Sequence, residues 1–408
     1  MGELSIVKKE RLWNRNFILL WQGQLISIFG DTLYALAIGY WVLSETGSTA
    51  LMGVISAASV LPRIFVSPIA GTLVDRHDRR SILIITDIIC GIATLLVGIA
   101  AIIGLVKVWM LVGVAVIIGI CGCFFNPAIN SSMPDLVPEP RLINANSAFS
   151  SMSTANDIFG KMIGGYLVQV LGAPIIFILN GVSYIVSAFA ECFIKIPKMK
   201  NSSKKLTFFE DMISGIKYVK EFSGLKCLYV IIAFLNFFGA MSTMLILPLF
   251  KENVKLGIGL YGMAMGIQAL GMFIAFMMLS VVQFKKENKF YIFIGSGVIT
   301  AIVMIVFSLT SNFYLMAAAL FINGFCIAIT NSIIQASMQV SVMADMRSKV
   351  YAFRRTLSSS LIPIAMLLGG IISEFTPIKK IIFVNYIIIL CLFVTVSFFH
   401  SVKKLINV

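Results

Sequence analysis

A short basic segment near the start of the chain lies between two long apolar stretches, and it reads Gly71-Thr72-Leu73-Val74-Asp75-Arg76-His77-Asp78-Arg79-Arg80. The flanking stretches, 50–70 and 82–104, are each about as long as a helix that crosses a bilayer core roughly 30 Å thick. Similar stretches recur along all 408 residues, which are 59% hydrophobic and only 12% charged. Soluble domains are about half apolar and a quarter charged, so the composition indicates a membrane protein.

Hydropathy divides the whole chain into twelve predicted membrane-spanning helices. No strand pattern competes with them, and the sequence therefore predicts an all-α membrane protein. The predicted spans are 17–42, 50–70, 82–104, 107–129, 146–170, 173–194, 227–250, 257–282, 290–310, 313–338, 355–375 and 378–400.

The basic residues give the predicted direction of these spans. If the N-terminus is cytoplasmic, 25 of the 32 Lys and Arg residues face the cytoplasm, five lie outside, and only Arg63 and Lys161 lie within spans. Positive residues are concentrated on the cytoplasmic side of membrane proteins. We therefore expect a multi-pass protein of a bacterial-type inner (plasma) membrane with both ends in the cytoplasm. The net charge of +14 follows from these loops and does not indicate a nucleic-acid partner.

A long polar stretch divides the chain near its middle. It predicts a first six-helix bundle over 1–194, a cytoplasmic linker over 195–226 and a second six-helix bundle over 227–408. Within the linker, Thr207 to Glu210 reads as a capping box that opens a short amphipathic helix. Such a helix can lie on the membrane surface, or it can simply join the two halves.

Two matched dipeptides indicate that the halves are repeats. Phe29-Gly30 recurs as Phe238-Gly239, 209 residues later, and Gly164-Gly165 recurs as Gly369-Gly370, 205 residues later. Both separations are close to half the chain length. The sequence thus predicts two parallel six-helix pseudo-repeats.

The opening segment closely resembles the G-x-x-x-D-R-x-G-R-R motif of the major facilitator superfamily, with Asp78 in place of the usual glycine. The resemblance implies the major facilitator fold. It also implies a conformational latch that joins the halves on the cytoplasmic side and releases as the protein alternates. The alternative is that the arginines only fix topology. The latch residues would be Gly71, Asp75, Arg76, Arg79 and Arg80.

The chain further resembles the drug:H+ antiporter branch, which includes macrolide and siderophore exporters. Similar stretches begin at Gln24, Leu61, Val137 and Arg347, so the resemblance covers essentially the whole chain. The branch's G-P-x-x-G-G motif is represented by Gly160, Gly164 and Gly165, but Lys161 replaces the proline. The bend that proline would give this span is therefore in question.

Ionisable groups inside spans are costly and rare. Asp31, Arg63, Asp157 and Lys161 lie at membrane depth in the predicted spans. They are candidates for proton coupling, in which a carboxylate carries the proton; alternatively, they form a static buried network. Asp157 and Lys161 are four residues apart and can pair. Asp87 and Glu191 lie near span ends, where we expect them to reach water.

These features favour a secondary transporter, most simply a proton-coupled exporter of small amphipathic molecules that works by alternating access. A lipid or lysophospholipid flippase of the same fold is the main alternative. A receptor or scaffold would need no buried charges, and no cluster of residues suits an enzyme or a metal site. We expect no cofactor beyond the proton gradient, contact with membrane lipids, and a monomer. The candidate residues of the substrate cavity are Gln24, Asn126, Asn236, Gln268, Asn323, Asn331 and Gln335.

Overall fold

The computed structural model describes residues 12–74, 77–138, 141–195, 223–253, 255–282, 284–341 and 347–407. The predicted amphipathic helix of the linker, together with Asp75 and Arg76 of the predicted latch, lies outside these residues. Every regular element in the described part of the chain is helical, and the predicted all-α class is confirmed.

Fourteen α-helices and one π-helical turn follow one another along the described chain. They are α1 (Arg15–Thr46), α2 (Thr49–Val74), α3 (Arg79–Ile102), α4 (Val108–Leu136), α5 (Leu142–Ala155), the π turn (Asn156–Gly160), α6 (Lys161–Leu171), α7 (Ala173–Glu191), α8 (Ser223–Glu252), α9 (Gly257–Val281), α10 (Lys286–Leu309), α11 (Phe313–Ser341), α12 (Arg347–Phe375), α13 (Ile378–Ser397) and α14 (His400–Ile406).

These helices account for the twelve predicted spans. Ten described helices are long and apolar enough to cross a membrane, and Ser360–Phe375 is a shorter apolar part of α12. The remaining span is made of α5, the π turn and α6, which follow one another without a break. The observed helices extend beyond several predicted ends, because hydropathy marks only the apolar centre of a helix and misses its polar last turns.

The two halves pack in the same way, as repeats should. Gly119 of α4 approaches α2 so closely that a Cβ atom there would lie 2.6 Å from the carbonyl oxygen of Ser59. Gly324 of α11, 205 residues later, meets the carbonyl of Gln268 in α9 just as closely. The same pair of helices is therefore joined through a glycine in each half.

The chain ends and the basic segment 77–80 define one face of the molecule, which we call the chain-end face. The turns at Gly47, Gly104 and Gly172 lie on the opposite face, which we call the far face. This assignment follows from the alternating direction of successive spans. Two hydrogen bonds agree with this assignment. On the chain-end face Asn14 Nδ2 donates to Leu136 O, and on the far face Lys379 Nζ donates to Thr310 O.

The halves contact each other toward the far face. Thr49 Oγ1 donates to Gly370 O at 3.0 Å, and the Glu374 carboxylate accepts from the Ser48 hydroxyl and, at 3.2 Å, from the Ala50 amide. These contacts join the start of α2 to the end of α12.

A second junction joins α6 to α9. A Cβ atom on Gly165 would lie 2.7 Å from the carbonyl oxygen of Ile258 and 2.9 Å from Gly262 Cα, so the two backbones touch. Gly39 of α1 similarly faces Leu247 of α8. The far face is therefore closed by packing between the halves.

Candidate functional site

A cavity of about 290 Å³ lies inside the second half. Its walls combine apolar side chains with hydroxyl and amide groups, and none of the described residues that line it is charged. Its polar members are Asn236, Thr243, Thr300, Asn323, Thr330, Asn331 and Tyr386. Such a surface suits an uncharged ligand region that is largely apolar with a few hydrogen-bonding groups.

Four of the predicted cavity residues lie at or next to this cavity. Asn236, Asn323 and Asn331 line this cavity, and their role in binding substrate stays a prediction. Gln268 is not among the lining residues but contacts one of them, since its amide donates to Asn323 Oδ1 at 2.8 Å. Asn323 also lies beside the Tyr386 hydroxyl, so amide and phenol groups adjoin on the cavity wall.

Two pairs of exposed amides occupy equivalent positions in the two halves. Asn126 and Asn130 lie on one face of α4, while Asn331 and Gln335 lie on one face of α11; each residue of the second pair is 205 positions after its counterpart. Polar side chains at membrane depth face the bundle interior or water rather than lipid. The two pairs thus indicate a central cavity that the repeats line from both sides.

Asp31 lies in the interior of the first half. Tyr184 of α7 donates a hydrogen bond of 2.5 Å to Asp31 Oδ1, and Asn180 of the same helix lies beside the carboxyl. Arg63, the partner considered from the sequence, acts on Asp31 only electrostatically and at longer range. The direct neighbour of this carboxyl is therefore a phenol, not a cation.

Two expectations about the first half are corrected by burial. Asp87 and Glu191 are only 3% and 1% exposed, so they do not reach water as expected from their positions near span ends. Gln24, expected in the substrate cavity, is 5% exposed and lies within the first bundle. Hydropathy gives the depth of a residue but not which side of its helix it occupies.

Asp157 and Lys161 form the ion pair that their spacing predicts, with 2.9 Å between Lys161 Nζ and Asp157 Oδ1. Asp157 lies in the π turn and Lys161 begins α6. A π turn commonly bends a helix. The span that lacks the family proline thus has a different irregularity at the same place.

The three glycines of this span have different neighbours. Gly160 lies against the side chain of Asn156, and Gly164 lies against Leu33 and Leu36 of α1. Gly165 instead contacts the second half, as described above. Only the last of the three therefore takes part in closing the far face.

The described part of the basic segment is held within the first half. Arg79 Nη1 donates to Asp135 Oδ2 at 2.5 Å and to Ser131 O at 2.6 Å, both on α4. Arg80 donates to the carbonyl of Cys192, and Gly71 lies near the end of α2. A latch to the second half remains a proposal.

Several polar residues of these sites were not singled out from the sequence. Tyr184 and Asn180 flank Asp31, and Thr300, Thr330 and Tyr386 line the cavity. A signal was present in α7, where Asn180, Tyr184, Ser187 and Glu191 recur at spacings of three and four residues. A polar stripe of this kind within an apolar helix indicates a face turned away from lipid.

The two six-helix repeats, the uncharged cavity of the second half and the ionisable groups at membrane depth are typical of a membrane transport protein. The model of the Major Facilitator Superfamily matches residues 20–366, and the chain belongs to this family. The resemblance noted in the basic segment is thereby confirmed.

Curated relatives include exporters. The chain is 24% identical to macrolide efflux protein A of Streptococcus pyogenes, over 98% of this chain and 99% of that protein. It is 32% identical to the putative bacilysin exporter BacE of Bacillus amyloliquefaciens, over 51% of each chain.

Solved structures share the fold. A bacterial homologue of the iron transporter ferroportin in an inward-facing state matches with a TM-score of 0.71 and 14% identity, over 94% of this chain and 99% of that one. A bacterial homologue of the lysosomal transporter Spinster, inward-facing and occupied, matches with a TM-score of 0.69 and 14% identity, over 96% and 95%. At this identity the likeness concerns the fold alone.

Proposed function

We propose that this protein is a proton-coupled exporter of amphipathic small molecules, with macrolide-like compounds as the first class to test. The observation that carries the proposal is the contrast between the halves. The second half offers an uncharged cavity with apolar walls and scattered amides, whereas the first half holds a half-buried carboxyl at membrane depth, Asp31, beside Tyr184. Similarity to macrolide efflux protein A along nearly its whole length supports the choice of substrate.

In this proposal the substrate enters between the halves, and its polar groups meet Asn236, Asn323 and Asn331. Protonation of Asp31 is coupled to the change between states that open on opposite faces. The contacts between α2 and α12 and between α6 and α9 close the far face. The basic residues of the loops support a cytoplasmic chain-end face, so the described arrangement corresponds to a cavity accessible from the cytoplasm.

The test is transport of a radiolabelled macrolide in proteoliposomes under an imposed pH gradient. We expect accumulation that a protonophore abolishes, and we expect Asp31→Asn to stop accumulation while macrolide counterflow continues. Glu287→Gln is the matched control, since Glu287 is an exposed carboxylate on the chain-end face. Accumulation that persists without a gradient, or in Asp31→Asn, would overturn proton coupling. Movement of a fluorescent lysophospholipid in place of the macrolide would support the flippase instead.

The orientation of the protein in the membrane is tested separately. Cysteines are introduced at Lys107, on the far face, and at Lys285, on the chain-end face, in a cysteine-free background. An impermeant maleimide added to intact cells should label only the cysteine at position 107. Labelling of position 285 alone would reverse the orientation.

A further inference from the structure

Polar side chains from three helices meet inside the first half, away from the cavity in the second. Gln24 and Asp31 belong to α1 and Asp87 to α3. On α7, Tyr184, Ser187 and Glu191 share one face because they are three and four residues apart. The helices approach closely here, since a Cβ atom on Gly23 would lie 3.1 Å from Ser187 Oγ and one on Gly91 would lie 3.1 Å from Gly181 O.

Two carboxyls of this group have no Lys or Arg side chain at ion-pair distance in the described part of the chain, and the nearby Arg80 donates to the carbonyl of Cys192. Among the described residues, neither Asp87 nor Glu191 forms an ion pair, and both carboxyl oxygens of Glu191 are buried without a hydrogen-bond partner. The polar neighbour of Asp87 is the Ser187 hydroxyl, and Gln24 Nε2 is also buried without a partner. An ionised carboxylate is very costly in such surroundings, whereas a protonated carboxyl is neutral. Both residues are therefore suited to bind protons, and neither is suited to anchor the helix ends in water.

The carboxyls are arranged in order of depth. Glu191 is the last residue of α7 on the chain-end face, and the next residue, Cys192, is exposed. Asp87 lies within electrostatic range of Glu191 on one side and of Asp31 on the other. Asp31 is 16 residues into α1, or roughly 24 Å along the helix.

Hydroxyl groups occupy the intervals between the carboxyls. Ser187 lies beside Asp87 and one turn from Glu191, and Tyr184 contacts Asp31. A hydroxyl can accept a proton on its oxygen while releasing its own, which is what a relay requires. The other titratable groups facing this region are Tyr34, Cys90, Cys121 and, near Asp31, Arg63.

We propose that Glu191, Asp87 and Asp31 form a proton path through the interior of the first half, between Asp31 and the chain-end face and separate from the substrate cavity. In gradient-driven export, the proton that Asp31 releases passes to Asp87 and through the Ser187 hydroxyl to Glu191, which gives it up to water at the chain-end face. Only O–H bonds form and break, and each carboxyl that gives up its proton becomes an anion until the next proton arrives. This inference rests on the proton coupling proposed above.

The transport test compares Glu191→Gln and Asp87→Asn with the control Glu287→Gln in the macrolide proteoliposomes. Loss of a proton-transfer group should slow gradient-driven accumulation by about 100-fold or more. Counterflow, which needs no net proton movement, should stay within about twofold of the wild type. Unchanged gradient-driven rates would overturn the path. Equal loss of counterflow in both variants would overturn it too, because the two residues would then be structural.

Infrared difference spectroscopy of the purified full-length protein tests the path without any substrate. Titration with acid and base should change the absorption of protonated carboxyl groups, and Glu191→Gln and Asp87→Asn should each remove part of that change. Spectra identical to the wild type would overturn the path. If wild-type protein moved no macrolide but showed this signal, the proposed function would fail while the path stood. A signal that sodium ions, and not protons, alter would overturn the path.

Discussion

The Tyr184 hydroxyl donates to Asp31 Oδ1 at 2.5 Å and so joins the last helix of the first half to its first helix. The second half has a corresponding link, in which Asn385 Nδ2 of α13 donates to Ser242 Oγ of α8 at 3.0 Å. The second link is fully buried and the first is partly buried. Only the first contains ionisable groups, so the repeats share a scaffold and differ in chemistry at the same junction.

Tyr184→Phe should weaken this junction. A hydrogen bond of this kind contributes about 1–3 kcal/mol, so the thermal unfolding temperature should fall and gradient-driven macrolide transport should slow while counterflow continues. Tyr314→Phe is the matched control, because Tyr314 is 81% exposed. Equal unfolding temperatures for the two variants, with equal transport, would show that the Tyr184–Asp31 contact contributes nothing.

Much of the fold could be predicted from the sequence, because lipid imposes a simple rule on it. Each span needs about 20 apolar residues, and the twelve apolar stretches are long and divided by short polar segments. The repeat was visible in two dipeptides. The ion pair between Asp157 and Lys161 followed from helical spacing alone.

The site could be predicted only in part, since hydropathy does not reveal which helices are neighbours. The positions of Asp87 and Glu191 near span ends predict contact with water, yet both side chains are buried. Gln24 is polar and lies in a predicted span, which favours the cavity, but its side chain is only 5% exposed. Whether such a side chain is buried depends on which helices pack against it. That packing joins residues far apart in sequence, which hydropathy does not reveal.

Gly165→Leu should separate the halves at the far face. The new side chain would start 2.7 Å from Ile258 O and 2.9 Å from Gly262 Cα, where a backbone cannot yield without moving the helix. We expect a longer distance between spin labels at positions 107 and 255, one in each half at the far face, measured by pulsed electron paramagnetic resonance in a cysteine-free background.

The control for this experiment is Gly295→Leu, because nothing lies within 4 Å of a Cβ atom built on Gly295. Its label distance should match that of the unsubstituted protein. A distance unchanged in Gly165→Leu would mean that α6 and α9 do not hold the far face closed.

Glu374→Ala should loosen the other far-face junction. The carboxylate accepts from the Ser48 hydroxyl and the Ala50 amide, which are donors at the start of α2. Loss of a hydrogen bond to a charged group corresponds to about 1.5–3 kcal/mol, enough to change a two-state population by about tenfold or more. The same label pair should then show a larger fraction of long distances, whereas Glu287→Ala should leave the distribution as it was. An unchanged distance distribution in Glu374→Ala would show that the contact of Glu374 with Ser48 and Ala50 does not hold the far face closed.

Asp157 and Lys161 provide the sharpest test of whether a charge at membrane depth is structural or coupling. Lys161 is 34% and Asp157 53% exposed, and they neutralise each other at 2.9 Å. Asp157→Asn or Lys161→Gln alone leaves one unpaired charge in the span, whereas the double variant leaves none. For a static pair, each single variant should lower the unfolding temperature and slow transport. The double variant should recover most of both, because the cost arises from the unpaired charge.

If Asp157 carries the coupling proton, the double variant should remain as inactive as Asp157→Asn in gradient-driven transport, even with its unfolding temperature restored. We expect recovery, since the pair lies in the π turn and first turn of α6, where two opposite charges one helical turn apart stabilise the bend.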